Sequence, residues 1–335
     1  MNKNPLVSVI TPCYNAENKI VMYLESLLSQ TYRNLELIFI NDGSTDSTED
    51  IILSYKIKFE ALGMKFIYLY QKNSGQDVAM NAGLKIFTGK YLIWSDNDDI
   101  LLPNNIFSKV RLMENNKKLG IVYCNAYIAK SNNIQLPIKK WKKPLMTDKM
   151  ELFYDVLTAN NVLFPGGVWM IRSESFFKIY PDRQINIYGF GQNWQMLLPM
   201  IYYFEVGKVE EYLFVYVLYD NSYSANKRNQ YEVAKNYILK QKEALYDILN
   251  SLKVPLQKKK KLDRLINTFI FKNLLFNAIL FNNRDEYKSI YKKGKLYIKY
   301  FNLIDKIKIY LYKYNLRIVL VKIFTCKKSS TRVHF

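Results

Sequence analysis

Histidine is almost absent from this chain: of 335 residues only His334 carries an imidazole, and it stands next to the last residue. A Ser-His-Asp triad and a histidine-rich metal centre are thereby excluded. Cysteine is nearly as scarce. Cys13, Cys124 and Cys326 are odd in number, far apart and without metal-ligand spacing, so no disulfide framework is encoded, which fits a reducing compartment. Long apolar runs are missing too, the longest candidate, 262–281, being broken by Asp263, Arg264, Lys272 and several asparagines. The opening MNKNPLVSVITPCYN enters a strand-like run without the apolar core of a signal segment, and the expected location is the cytoplasm. Acidic residues run short only late in the chain. Residues 1–226 hold 23 Lys+Arg against 22 Asp+Glu, whereas 227–335 hold 26 against 7, so nearly all of the +20 net charge lies in the tail.

What is present first is alternation. Short apolar runs at 6–11, 35–40, 65–70, 91–95 and 121–123 are separated by segments of helical spacing. This predicts an α/β fold with a mainly parallel sheet and flanking helices. In 18–30, the apolar residues Ile20, Tyr23, Leu24, Leu27 and Leu28 fall on one helical face. Asp46 and Ser47 suit an N-cap for the next helix. The polar stretch 130–149 reads as an exposed connection, mixed patterning returns over 150–220, and helical patterning follows 226.

Tyr91 to Pro103 reads YLIWSDNDDILLP, a strand-like run breaking into Asp96, Asp98 and Asp99. Carboxylates ending a strand suit Mg²⁺ or Mn²⁺, which keep open positions for phosphate oxygens; a solvated acidic turn gives the same letters. Pro12 to Asn15, Asn41 to Asp46 and Gln71 to Asp77 likewise follow strands, and in an open α/β sheet that rim is where ligands bind.

Four segments in order, VSVITPCYNAE at 7–17, FINDGSTDST at 39–48, KNSGQDVAMNAGL at 72–84 and YLIWSDNDD at 91–99, resemble the nucleotide-sugar half of inverting glycosyltransferases of family two, with the GT-A fold. GFGQNWQMLLP at 189–199 resembles the acceptor half of bacterial members that build surface polysaccharides. The resemblance implies a GT-A domain over 1–226, with a nucleotide-sugar half at 1–125 and an acceptor half at 150–225, followed by a basic helical region at 227–335. It implies that Thr11, Pro12 and Tyr14 flank the base, that Asp42 accepts a hydrogen bond from it, most typically from uracil, and that Asn73, Gly75 and Asn81 lie near the ribose or diphosphate. Met80 stands where the family often has arginine, which leaves the site more dependent on a metal. Asp96 and Asp98 match the family's DxD. Asp98 is the expected metal ligand and catalytic charge stabiliser, Asp96 contacts the ribose or donor sugar and shares the metal, and Asp99 braces the loop.

The implied reaction is transfer of a sugar from a nucleotide sugar to an acceptor hydroxyl with inversion, which calls for a general base. Family members place an acidic pair where this chain has Gln192 and Asn193, and an amide cannot take that proton. Asn193 is read as orienting the acceptor, with Gln192 beside it; the base stays unassigned, Asp182 and Glu174 being candidates. Trp194 is a platform for a sugar ring or a core tryptophan. Tyr223, Lys227 or Arg228 would replace a family histidine at the diphosphate. Two other readings stay open: a degenerate GT-A protein that binds or scaffolds without turnover, and a sugar nucleotidyltransferase, against which TPCYNAE replaces the expected glycine-rich loop.

In the tail, Lys292, Lys299, Lys306 and Lys313 recur every seven residues, with Lys295, Asn302 and Arg317 on nearly the same side of a helix otherwise rich in Ile, Leu, Tyr and Phe. That form suits an anionic membrane surface; a helical bundle with solvated lysines is the alternative. The expected partners are a nucleotide sugar, a polyprenyl-linked oligosaccharide acceptor and the inner face of the cell membrane. Nucleic acid is not expected, because no finger, RNP or helix-turn-helix pattern accompanies the charge.

Overall fold

The structure, a computed structural model, describes residues 4–145, 148–189, 191–219 and 230–314. The chain forms two compact units, Met1–Val156 with Asn160–Tyr219, and Leu157–Ala159 with Asp220–Phe335.

The first unit is a nine-stranded sheet with flanking helices. Its strands are β1 (Val7–Cys13), β2 (Leu35–Asp42), β3 (Lys65–Gln71), β4 (Tyr91–Trp94), β5 (Ile100–Leu101), β6 (Leu119–Lys130), β7 (Lys139–Trp141), β8 (Trp169–Arg172) and β9 (Glu205–Leu218). They lie in the order β3-β2-β1-β4-β8-β6-β9-β5, with β7 on β6. β3, β2, β1 and β4 pair in parallel, and β8 enters antiparallel between β4 and β6. Since β6 and β9 pair in parallel, six strands point one way and their carboxyl ends share one rim. The α/β reading and its mainly parallel sheet are borne out.

β1 and β2 are buried along almost their whole length, which explains why they read as unbroken apolar runs. Helices α1 (Ile20–Leu28), α2 (Thr48–Ser54), α3 (Lys56–Ala61), α4 (Gln76–Ile86), α5 (Asn105–Asn115), α6 (Lys149–Leu157), α7 (Ser173–Ile179) and α8 (Gln192–Tyr203) complete the unit. Helix α1 buries Ile20, Tyr23, Leu24 and Leu27 as its spacing predicts, while Leu28 is half-buried.

Three expectations need correction. Ser47 occupies the N-cap of α2 without capping through its side chain; instead Asp46 accepts from Thr48 N at 3.1 Å and from Glu17 N at 3.1 Å, while Glu17 accepts from Ser47 N. The cap residues thus lock two loops together. The 130–149 connection is not wholly exposed: β7 pairs with β6, Trp141 is buried, and buried Lys143 is 2.5 Å from Asp155. β6 itself runs well beyond Tyr123, because β9 pairs along it as far as Lys130.

The second unit contains α9 (Tyr231–Ser251), α10 (Leu256–Leu280), α11 (Arg284–Gly294), a 3-10 segment (Lys295–Tyr300) and α12 (Leu303–Lys313). Phe271, Leu275, Ala278, Tyr287, Ile309 and Tyr312 form part of its own core. The seven-residue lysine repeat therefore does not lie on one helix: Lys292 is on α11, Lys299 on the 3-10 segment, and Lys306 and Lys313 on α12, all exposed. The chain turns extended at Phe301 and Asn302, and Asn302 caps α12 by accepting from Asp305 N at 2.8 Å, so a new helix starts there. Arg317, Cys326 and His334 lie outside the described residues, as do Tyr223, Lys227 and Arg228. Among the described residues no helix is long and apolar enough to cross a membrane.

Candidate active site

The loops that follow β1, β2, β3 and β4 meet at the carboxyl rim and are tied to one another by side chains. Asn15 accepts from Thr45 N at 2.9 Å, and Ser44 accepts from Asn15 N at 3.1 Å, joining the first loop to the second. Asp42, at the end of β2, accepts from Gln71 Nε2 at 2.7 Å, Ser74 N at 2.8 Å and Gly75 N at 2.8 Å, joining the second to the third. Gln76 donates to Asp96 at 3.3 Å, and Asn97 donates to Pro12 O at 2.9 Å, which brings in the fourth. Gly43 makes this possible: its φ is +70°, and a Cβ there would lie 2.6 Å from Asn73 N.

The carboxylate loop is closed from below by the end of β9. Asp99 is buried and accepts from Val217 N at 2.9 Å, and Tyr219 donates its hydroxyl to Asp98 O at 3.3 Å. Burial first, and the charges of Asp98 and Asp96 second, push the Asp99 carboxyl well above the usual carboxylate range. Through its bond to Val217 N, Asp99 braces the loop against β9. Asp96, half-buried, is pushed up to about 7 by burial and then by the charge of Asp98. Burial also raises Asp98, against the opposing effect of Lys19 at 3.4 Å. Carboxylates held in this way attract a cation. No group of three or more metal-ligating side chains occurs among the described residues. The oxygen pair Asp96 and Asp98 nonetheless fits a Mg²⁺- or Mn²⁺-sized ion that draws its remaining ligands from water and phosphate, since such ions are ordinarily bound through one or two carboxylates.

The loop before α8 completes the rim. Asp77 accepts from Tyr188 N and Gly189 N, both at 2.8 Å, so α4 holds that loop at the rim. Gly191 then turns the chain at φ +81° into α8. Asn193 Oδ1 receives the Trp94 indole N–H at 2.7 Å, so the first turn of α8 is tied to the end of β4. Gly166 is required by that packing, because a Cβ would stand 2.0 Å from Trp94 O.

Several expected site residues take other positions. Thr11 is buried with its hydroxyl 2.6 Å from the Tyr23 hydroxyl, and Pro12 is half-buried, leaving Tyr14, 43 % exposed, as the aromatic ring at the mouth. Asn73 is exposed on the third loop. Asn81 has a structural duty instead: it donates to Ile185 O at 2.9 Å and accepts from Ile185 N at 2.8 Å, so it braces the loop before α8. Trp194 is corrected. It is 4 % exposed, its N–H is bonded to Val156 O at 2.8 Å, and it packs edge-on to Phe164, so it is core. Gln192 is buried at the start of α8. Neither candidate base reaches the rim. Arg172 pairs with Tyr91 at the starting end of β4, so Glu174, just beyond, emerges on the opposite edge of the sheet. Asp182 is exposed beside Arg183, which bonds to Leu84 O and Phe87 O at the far end of α4.

Lys19, Trp94, Asp77 and Tyr219 are site residues that sequence reasoning missed. Each is an ordinary residue in its own segment, and only the pairing of distant segments reveals it.

Residues 8–179 match the family described as Glycosyl transferase family 2. An uncharacterized glycosyltransferase of Rickettsia prowazekii is 38% identical over 177 residues, 52% of this chain and 53% of that protein. One of Haemophilus influenzae is 35% identical over 191 residues, 54% of this chain and 58% of that protein. The chain thus spans about half the length of these curated relatives. Among solved structures, Staphylococcus aureus TarS 1-349 in complex with UDP-GlcNAc superposes with a TM-score of 0.53 at 17% identity, covering 87% of this chain and 91% of that one. A mannosyltransferase from Pyrobaculum calidifontis in complex with GDP-Man and Mn²⁺ gives a TM-score of 0.53 at 14% identity, covering 93% and 85%. These likenesses share the GT-A fold. With the family's motifs spread over more than half of the chain and folded into one rim, this protein belongs to glycosyl transferase family 2.

Proposed function

We propose that this protein transfers a sugar from a nucleotide sugar, a UDP-sugar in the first instance, to a hydroxyl of a polyprenyl-linked oligosaccharide, with inversion, in the synthesis of a capsule or O-antigen type of surface polysaccharide. The observation that carries the reading is the convergence of five loops on one rim, with Asp42 on one side, Asp96 and Asp98 in the middle and Asn193 on the other. The ligands present in the TarS and Pyrobaculum structures support a nucleotide-sugar donor and a divalent cation.

In this reading Tyr14 and Asn73 line the nucleotide end, and Asp42 holds the second and third loops in register beside the base. Asp96 and Asp98 would hold a Mn²⁺ or Mg²⁺ ion, whose chemistry is to offset charge on the departing diphosphate. Asn193 is oriented by Trp94, so its remaining amide group is available to position the acceptor hydroxyl. The proton acceptor is not Asp182 or Glu174. Incubation with a panel of nucleotide sugars, Mn²⁺ and a membrane extract, following nucleotide release, tests the whole reading. Release that depends on donor and acceptor supports it, and binding of UDP without any release supports the second reading, a GT-A protein that binds without turnover. That alternative is favoured by one observation, the amide at Asn193.

For location, we infer attachment at the inner face of the cell membrane through the second unit. Leu303, Ile304, Ile307 and Tyr310 of α12 are exposed beside Lys306 and Lys313, a combination of apolar and basic surface suited to anionic lipid.

A further inference from the structure

Lys19 precedes α1, and no step of the transfer chemistry above uses it. Its Nζ stands 3.4 Å from Asp98 Oδ2 and 4.5 Å above the centre of the Tyr219 ring. Tyr219 in turn donates to the Asp98 carbonyl at 3.3 Å. Three segments distant in sequence, the loop after β1, the loop after β4 and the end of β9, thus converge to put one ammonium on one carboxylate. The pair is partly shielded, with the Lys19 and Asp98 side chains 26% and 30% exposed. A lysine is a compact charge on a flexible stem, able to exchange one anion for another nearby. An ion bound at Asp98 and an ammonium at the same oxygen repel each other, and so exclude one another unless a second anion is at hand.

We propose that Lys19 is a positioning residue that couples the binding of a divalent cation to that of the nucleotide diphosphate. Without nucleotide it competes with the ion for Asp98; with a diphosphate present its ammonium turns to pair with the phosphate oxygens and releases Asp98 to the ion. The ring of Tyr219 holds the ammonium in reach of both positions by cation–π attraction. This inference rests on the reading of Asp96 and Asp98 as cation ligands.

Calorimetric titration of the full chain tests it with three ligand conditions: Mn²⁺ alone, UDP alone in chelator, and Mn²⁺ at saturating UDP. Lys19→Met is expected to bind Mn²⁺ alone about fivefold more tightly than the wild type, the upper range for a part-exposed ion pair. In chelator it binds UDP about fivefold more weakly, and the tightening of Mn²⁺ by UDP shrinks. Lys19→Arg keeps the wild-type pattern. If Lys19→Met does not fold, Lys19→Gln is read in the same way. Equal Mn²⁺ affinity and equal enhancement by UDP in wild type and variant would overturn the role of Lys19 and leave the cation site standing. Absence of Mn²⁺ binding in both proteins, with and without UDP, would remove the cation site and this proposal together.

Discussion

The indole N–H of Trp94 donates to Asn193 Oδ1 at 2.7 Å across 99 residues of sequence, joining the strand that delivers the carboxylates to the first turn of α8. The bond sets which end of the amide is free. Trp94→Phe keeps the aromatic packing and removes the donor, so kcat/KM for the acceptor should fall about tenfold, the scale of one lost buried hydrogen bond. Asn193→Ala should cost at least as much, and the double variant no more than the worse single one. Additive losses in that cycle would show that the two residues act independently.

Asp98→Asn removes a charge from the pair at the end of β4. Turnover should drop at least about a hundredfold, as when other charge-stabilising elements are lost. Mn²⁺-dependent donor binding should weaken in parallel. Full activity of this variant in chelator would take the metal out of the mechanism.

Asp42 has a structural duty as well as an expected place at the base. Asp42→Ala leaves the Ser74 and Gly75 N–H groups without their acceptor. A loss of about 2–3 kcal/mol in unfolding free energy should accompany weaker UDP binding. Equal UDP affinity in wild type and variant would refute its role in nucleotide binding, whatever the stability.

Lys109 gives a pH signature. It is buried, donates to Gly167 O at 2.6 Å and Asn105 Oδ1 at 2.9 Å, and burial lowers its pKa from 10.5 to about 8. Below pH 8 both folded and unfolded states hold the proton and the burial penalty is fully present. Between about 8 and 10.5 the unfolded state holds more protons, so this group's contribution to stability rises with pH. Denaturant titrations from pH 7.5 to 9.5 should show that rise relative to Lys109→Met. Parallel pH profiles would mean that the lysine titrates normally.

Reversing the charge of Lys299, Lys306 and Lys313 together should weaken binding to anionic vesicles at least about a hundredfold, at roughly 1 kcal/mol per basic residue near lipid. Rising salt should weaken wild-type binding in the same direction. Unchanged sedimentation with vesicles would turn the exposed lysines into solvated surface.

The sequence by itself determined the α/β alternation, because strands buried on both faces must be written as apolar runs and each must end in a turn. It also marked Asp42, Asp96 and Asp98, since carboxylates at strand ends stand out from the runs before them. What it could not contain was pairing at a distance. Asn81 and Trp194 carry the letters of ligand-facing residues, yet Asn81 is bonded to the Ile185 backbone and the Trp194 indole donates to Val156 O. Lys19 and Trp94 look like a helix-start lysine and a strand tryptophan until Asp98 and Asn193 are set beside them. The evenly spaced lysines likewise predict one helix, whereas the chain turns extended at Phe301 and Asn302 and starts a new helix there. Local spacing encodes which face of an element is buried; which atoms meet there depends on sheet order and loop closure, and these exist only in the folded chain.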